Sequence, residues 1–185
     1  EICVKGPNVM LGYYKAPDLT NEVVDNEGWF HTGDTGVLEK GLLRITGRVK
    51  SLFKTSMGKY VNPEAIEAKF KESPFILDMM VVGENQKFAA AIITPDFEFL
   101  KDWQLRHGIK CNSQEEMIVD KETLNRYNKV MAKYNKYFGD TEQIKRFKLV
   151  NEVWTESNGF LTPTMKLRRR KVMETYSEEI ENLFK

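Results

Sequence analysis

Turn chemistry cuts the first 49 residues of this chain into short pieces, and no long regular element fits between the cuts. Gly6-Pro7-Asn8, Ala16-Pro17-Asp18, Asn26-Glu27-Gly28, Thr32-Gly33-Asp34 and Lys40-Gly41 each combine residues that preset φ or tolerate a left-handed backbone. The runs between them predict short strands over 2–5, 9–14, 37–39 and 42–46 and one short helix over 18–24. A patch so small and so punctuated buries too little surface to fold alone, so it reads as the edge of something larger.

From Val61 the texture changes to longer elements. Asn62-Pro63-Glu64 is a helix start in which Asn caps, Pro takes the first position and Glu favours the dipole; the helix runs to about 71 with Ile66 and Phe70 on one face. The runs 77–83 and 88–94 flank Glu84-Asn85-Gln86-Lys87 and predict an antiparallel hairpin, which Pro95-Asp96 ends. Helices are predicted over 96–107, over 113–119 with Ser113 and Glu116 as a capping box, and over 121–138 with Leu124, Tyr127, Met131, Tyr134 and Phe138 on one stripe. Residues 146–150 are a candidate third strand, and 168–184 a final helix carrying Val172, Met173, Tyr176, Ile180, Leu183 and Phe184. The expected fold class is α+β: a small β-rich patch, then a compact domain with a short antiparallel sheet and helices. The connector at 48–58, bracketed by Gly47 and Gly58 and holding Arg48, Lys50 and Lys54, reads on spacing as a solvated turn.

Composition narrows the function classes. With 185 residues, 41% hydrophobic and 11% aromatic, the chain can bury a core. Its 28 Lys and Arg against 27 Asp and Glu leave +1, which removes bulk charge as a basis for nucleic-acid or anionic-membrane binding. No apolar run approaches the roughly 18 residues a membrane span needs, and no charged-then-apolar leader opens the chain, so a soluble, unexported, cytoplasmic protein is expected. Cys3 and Cys111 supply neither a disulfide framework nor metal-ligand spacing and are expected to be packing thiols. The chain starts at Glu1, without Met, in a strand-like run, which reads as a fragment.

Two segments can carry chemistry. Thr32-Gly33-Asp34-Thr35-Gly36 places an acid between two glycines, where the backbone turns tightly and leaves the carboxylate free to accept two hydroxyl hydrogen bonds from a ribose; the same residue also suits a turn aspartate bonded to its own backbone. His31, one of two histidines, has no partner pattern and reads as structural or surface. The second segment, Lys166-Leu167-Arg168-Arg169-Arg170-Lys171, puts five cations in six residues at a helix start, where they oppose the dipole. It suits either a basic patch for phosphates or nucleic acid, or one positioned lysine facing a polyanionic ligand. No GxxxxGK[ST] or GxGxxG loop occurs, so the chain carries no phosphate cradle of its own.

Four ordered motifs resemble the C-terminal motifs of acyl-adenylate-forming enzymes: Gly6-Pro7-Asn8-Val9-Met10-Leu11-Gly12-Tyr13-Tyr14, Gly28-Trp29-Phe30-His31-Thr32-Gly33-Asp34, Ile45-Thr46-Gly47-Arg48-Val49-Lys50-Ser51-Leu52-Phe53-Lys54, and Leu161-Thr162-Pro163-Thr164-Met165-Lys166. Phe53-Lys54-Thr55-Ser56-Met57-Gly58-Lys59-Tyr60-Val61 with Pro63-Glu64 is similar to the long-chain fatty acid CoA ligase branch. The resemblance covers nearly the whole chain and implies ATP-dependent adenylation of a fatty acid, then thioester formation with CoA. It implies that residues 1–49 end an N-terminal adenylation domain and that residues 50–185 are a mobile C-terminal domain.

Residue by residue, the resemblance implies that Asp34 and Arg48 hold the ATP ribose, that Lys50 is the hinge, that Lys166 is catalytic in adenylation, and that the Gly58 loop enters for the CoA step. Met57 departs from the branch, which often has a second glycine there. The phosphate loop and the metal-associated glutamate motif have no counterpart in this sequence; the resemblance places them, with the Mg ligands, in an upstream N-terminal domain, so no metal site and no turnover are expected of this chain alone. Implied partners are fatty acid, ATP, CoA and the protein's own N-terminal domain, with peripheral membrane association open for the full-length enzyme. Another acyl-adenylate-forming ligase, or a basic nucleic-acid-binding module built on residues 166–171, are the alternatives.

Overall fold

The structure, a computed structural model, describes all of residues 1–185. The chain forms two compact units, Glu1–Leu52 and Phe53–Lys185.

In the first unit, β1 (Cys3–Val4) pairs antiparallel with β2 (Phe30–His31), the helix α1 (Pro17–Val23) lies between them in sequence, and β3 (Asp34–Glu39) pairs antiparallel with β4 (Leu42–Arg48). Lys40 and Gly41 join β3 to β4 with φ of 52° and 78°. Two positive φ values make the type I′ turn whose twist matches the flanking strands. Residues 9–14 form no strand, contrary to expectation. Their backbone is spent locally: Val9 N donates to Gly6 O, Ala16 N to Tyr13 O, and Tyr13 N to Thr20 Oγ1. Leu11 and Tyr14 are exposed, so the apolar pattern there has no ladder and nothing to pack on. Every buried hydrophobic side chain lies at Val61 or later, in the second unit.

The second unit opens with β5 (Phe53–Lys54) and β6 (Tyr60–Val61), a short antiparallel hairpin where a plain turn was expected. In α2 (Pro63–Phe70) the Asn62 side chain accepts from Ala65 N, as the sequence predicts. β7 (Ile76–Val82), β8 (Ala89–Pro95) and β9 (Ile144–Leu149) form a sheet in that order. β7 and β8 are the predicted antiparallel hairpin, whereas β9 runs parallel to β8, so the sheet is mixed. The helices α3 (Phe97–Arg106), α4 (Gln114–Val119) and α5 (Lys121–Asn135) form the crossover between β8 and β9. A crossover of that length lets the chain re-enter beside β8 in the same direction.

All of β8 is buried. Met79, Val81, Ala89, Ala91 and Ile93 pack with Ile66, Phe70, Leu100, Tyr127, Met131 and Tyr134, while Met80, Val82, Ala90 and Ile92 pack with Trp154, Phe160, Val172, Tyr176, Ile180 and Leu183. The period of two along each strand thus feeds two cores, one per face. α5 stops at Asn135, before the predicted 138, because the Asn135 side chain pairs with both N and O of Ile144 at 2.9 Å. The predicted final helix is two, α6 (Arg169–Thr175) and α7 (Ser177–Phe184), broken at Tyr176 with ψ 31°. Apolar spacing is unchanged across the break, so periodicity reads straight through it. No helix is long and apolar enough to cross a membrane.

Candidate functional site

Asp34 opens β3 directly after Gly33, whose φ of 73° turns the chain into the strand. Its backbone is pinned on both sides: Asp34 N donates to Thr32 Oγ1 at 3.1 Å, and Ile2 N donates to Asp34 O at 2.8 Å. The ladder sets Asp34 opposite Arg48, and Arg48 Nε donates to Asp34 Oδ1 at 2.9 Å. Side-chain exposures of 32% and 62% leave this pair open to solvent, so it contributes at most about 1 kcal/mol to the fold. Val49 N donates to Gly33 O at 2.8 Å, extending the pairing one step into the 3₁₀ turn Val49–Ser51. Lys50 is exposed at its centre.

β1–β2 pairing also groups residues whose spacing shows no relationship. His31 Nδ1 lies 2.8 Å from Glu1 Oε2 and 3.6 Å from Cys3 Sγ, and its Nε2 lies 3.6 Å from Asp25 Oδ2. The hydrogen bond to Glu1 raises the His31 pKa, and His31 in turn lowers that of Glu1; the Trp29 amide leads the lowering at Asp25. Cys111 is half-buried and packs against the core as expected, whereas Cys3 is exposed and is not a packing thiol. The ligand atoms of Glu1, Cys3 and His31 lie within 4.8 Å of one another. A thiol and an imidazole suit a transition ion, not the all-oxygen shell of Mg²⁺; these residues do not fit Mg²⁺.

In the second unit, residues 55–59 form a closed loop between β5 and β6: Thr55 N donates to Lys59 O and Gly58 N to Thr55 O, both at 2.9 Å. Ser56 N to Gln86 O and Asn85 N to Lys54 O stitch the loop to the β7–β8 turn. Gly58 has φ 77°, and a Cβ there would meet only Lys54 Cε at 3.7 Å. Backbone conformation, not crowding, therefore calls for glycine. Met57 is 73% exposed. Beside the loop a cavity of about 140 Å³ is lined by Met57, Lys59, Lys87, Lys145 and Asp140 among others.

Lys166 sits on a tight turn. Leu161 and Leu167 form an antiparallel bridge, Thr162 N donates to Lys166 O at 2.8 Å, Lys166 N to Thr162 Oγ1 at 3.0 Å, and Arg168 N to Phe160 O at 2.8 Å. Phe160 and Leu161 are buried, and Lys166 is exposed.

The basic run does not form one cationic face. Arg170 Nε donates to Glu174 at 2.7 Å, Lys171 Nζ lies over the Phe160 ring, and Arg169 Nη2 donates to both Glu67 oxygens at 2.7 and 2.6 Å. Glu67 was not singled out from the sequence: it follows Ile66 on α2 and looks like an ordinary helix-surface acid. The fold buries it, which pushes its carboxyl up to about 7 against the pull of Arg169 and the Val81 amide. Asp34, Arg48 and Lys50 thus belong to the first unit, with the first two brought together; Gly58 and Lys166 belong to the second.

Residues 51–185 match the family model described as AMP-binding enzyme C-terminal domain. Long-chain-fatty-acid–CoA ligase 6 of Homo sapiens is 37% identical over the whole of this chain and 27% of its own length. Long chain acyl-CoA synthetase 6, peroxisomal, of Arabidopsis thaliana is 35% identical with the same coverage. This chain therefore spans about a quarter of the relatives it matches. Among solved structures, the A domain of a carboxylic acid reductase from Segniliparus rugosus, in complex with AMP and a co-purified carboxylic acid, superposes with a TM-score of 0.77 at 26% identity, covering 98% of this chain and 27% of that one. The capped α2, the sheet it packs on and the Lys166 turn all lie within residues 51–185, and the chain belongs to the AMP-binding enzyme C-terminal domain family.

Proposed function

We propose that this chain is the C-terminal part of a long-chain fatty acid CoA ligase, comprising the end of the adenylation domain over residues 1–49 and the mobile C-terminal domain from Lys50. The observation that carries the reading is Lys166, an exposed cation on a turn whose backbone is fixed by its own hydrogen bonds and by buried Phe160 and Leu161. A cation carried on a turn so fixed is placed to stabilise negative charge where it develops.

In the first half-reaction a fatty carboxylate oxygen attacks the α-phosphorus of ATP and pyrophosphate leaves. Lys166 stabilises the negative charge of that step. Asp34 accepts from the ribose hydroxyls, and Arg48, held on Asp34 Oδ1, helps fix the same sugar. In the second half-reaction the CoA sulfur attacks the acyl carbonyl and AMP leaves. Rotation about Lys50 exchanges Lys166 for the Gly58 loop, and Lys59, Lys87 and Lys145 around the adjacent cavity suit the phosphates of CoA. Mg²⁺ neutralises the triphosphate when bound, and its ligands belong to the rest of the enzyme. The setting is cytoplasmic, with peripheral association at membranes where the acyl substrate partitions.

The test is a panel of carboxylic acids of increasing chain length on the full-length enzyme, with pyrophosphate release and acyl-CoA formation read separately, and the 185-residue chain as control. Turnover highest on long chains and absent from the chain alone supports the reading. Preference for short or aromatic acids assigns another acyl-adenylate-forming ligase, and turnover by the isolated chain overturns the division of labour.

A further inference from the structure

We infer that Glu67 and Arg169 form a positioning pair that holds the Lys166 turn against the open edge of the three-stranded sheet. The inference rests on the adenylation role of Lys166 proposed above. β7 is an edge strand, with β8 on one side only. An edge leaves backbone donors and acceptors unpaired, and buried ones need partners. At Val81 both are taken by side chains: Val81 N donates to Glu67 Oε1 at 2.7 Å, and Arg169 Nη1 approaches Val81 O at 3.5 Å. Arg169 closes the ring through its two-oxygen contact with Glu67. α2, the sheet edge and the start of α6 are thereby locked at one point.

Arg169 is the first residue of α6 and stands one residue beyond Arg168, whose N–H closes the Lys166 turn on Phe160 O. One leg of the turn is anchored by buried Phe160 and Leu161. The other is held less deeply: half-buried Leu167 bridges to Leu161 and packs on the same core, Arg168 is exposed with its N–H on Phe160 O, and Arg169 adds a charged anchor directly beyond them. The guanidinium fork matches a carboxylate in one geometry, and lysine would hold the charge without the angle. Glu67 is only 12% exposed and Arg169 33%. A pair this sheltered holds its geometry where the exposed Arg170–Glu174 pair, 93% and 59% exposed, does not.

The experiment uses Glu67→Gln, which keeps the size of the side chain and an oxygen for Val81 N, and Arg169→Lys, which keeps the charge and loses the fork. Hydrogen exchange is measured on the 185-residue chain, and the two half-reactions on the full-length enzyme. Glu67→Gln is expected to speed exchange at the Thr162, Lys166 and Arg168 amides about tenfold, with β8 amides unchanged, because only a local opening is released. Adenylation kcat should fall about tenfold with the ATP KM held, and thioester formation from supplied acyl-adenylate should persist. Arg169→Lys should lie between this variant and the parent, and it carries the same comparison if Glu67→Gln does not fold. Unchanged exchange in the turn overturns the inference, as does faster exchange with unchanged adenylation. In the latter case Lys166→Ala separates the two readings: an inactive Lys166→Ala enzyme condemns only the positioning pair, and an active one condemns the proposed function as well.

Discussion

Arg48 reaches Asp34 directly across the β3–β4 ladder, Nε to Oδ1 at 2.9 Å, at the point where the paired strands give way to the turn carrying Lys50. Ladder pairing sets the two side chains side by side on one face. The pair proposed to hold the ribose and the proposed hinge are therefore consecutive features of one strand end.

Asp34→Ala in the full-length enzyme should weaken ATP use by about 1.5 to 3 kcal/mol, the scale of hydrogen bonds to a charged group. Because the Asp34–Arg48 pair is open to solvent, the same change should shift the urea stability of this chain by less than about 1 kcal/mol. An unchanged ATP dependence would make Asp34 a turn residue and nothing more.

Lys166→Ala should lower adenylation by on the order of a hundredfold or more, as loss of one preorganised charge-stabilising group does. The side chain is exposed and only its backbone is engaged, so folding should be unaffected and acyl-adenylate supplied to the variant should still be converted to thioester. Equal loss in both half-reactions would assign Lys166 a structural part.

Lys50 lies in a 3₁₀ turn, and 3₁₀ values of φ fall where proline is locked. Lys50→Pro should therefore be accepted in this conformation, releasing pyrophosphate while failing at CoA transfer if that step requires the dihedral to change. Lys50→Ala, with a free backbone, should retain much of both activities. Full CoA transfer by the proline variant would remove the hinge role.

His31 should titrate above its ordinary 6.5, because Glu1 and Asp25 favour the imidazolium. A folded pKa above the unfolded one contributes stability fully present below about 6.5 and lost as pH rises through the folded value. Following the His31 ring protons by NMR, Glu1→Gln should lower the midpoint more than Asp25→Asn, since the Glu1 hydrogen bond leads the shift. A midpoint unmoved by either variant would break the cluster.

Local chemistry was legible wherever the controlling atoms are close in sequence. Asn62, Ser113 and the β-rich runs of β7 and β8 around their turn act within a few residues, and each is found in its expected place. The expected strand over 9–14 failed because an apolar run between turns shows only that a strand could form there, not that a ladder partner or a packing face awaits it. The single helix over 168–184 failed for the complementary reason: Val172, Tyr176 and Ile180 keep helical spacing on both sides of a break that the backbone makes between them.

The sequence by itself determined the order of the motifs, the capped starts of α2 and α4 and the place of each candidate residue along the chain, since these depend on neighbours a few bonds away. Tertiary structure alone decided that β9 enters parallel to β8, that His31 stands between Glu1 and Asp25, and that the run of cations after Lys166 is divided among separate partners. Glu67 shows why. Its identity and its place on a helix are visible in the chain, but its burial and its grip on Arg169, 102 residues away, exist only once α2, the edge of β7 and the start of α6 meet. Desolvation and ion pairing depend on distance in space, which sequence separation does not encode.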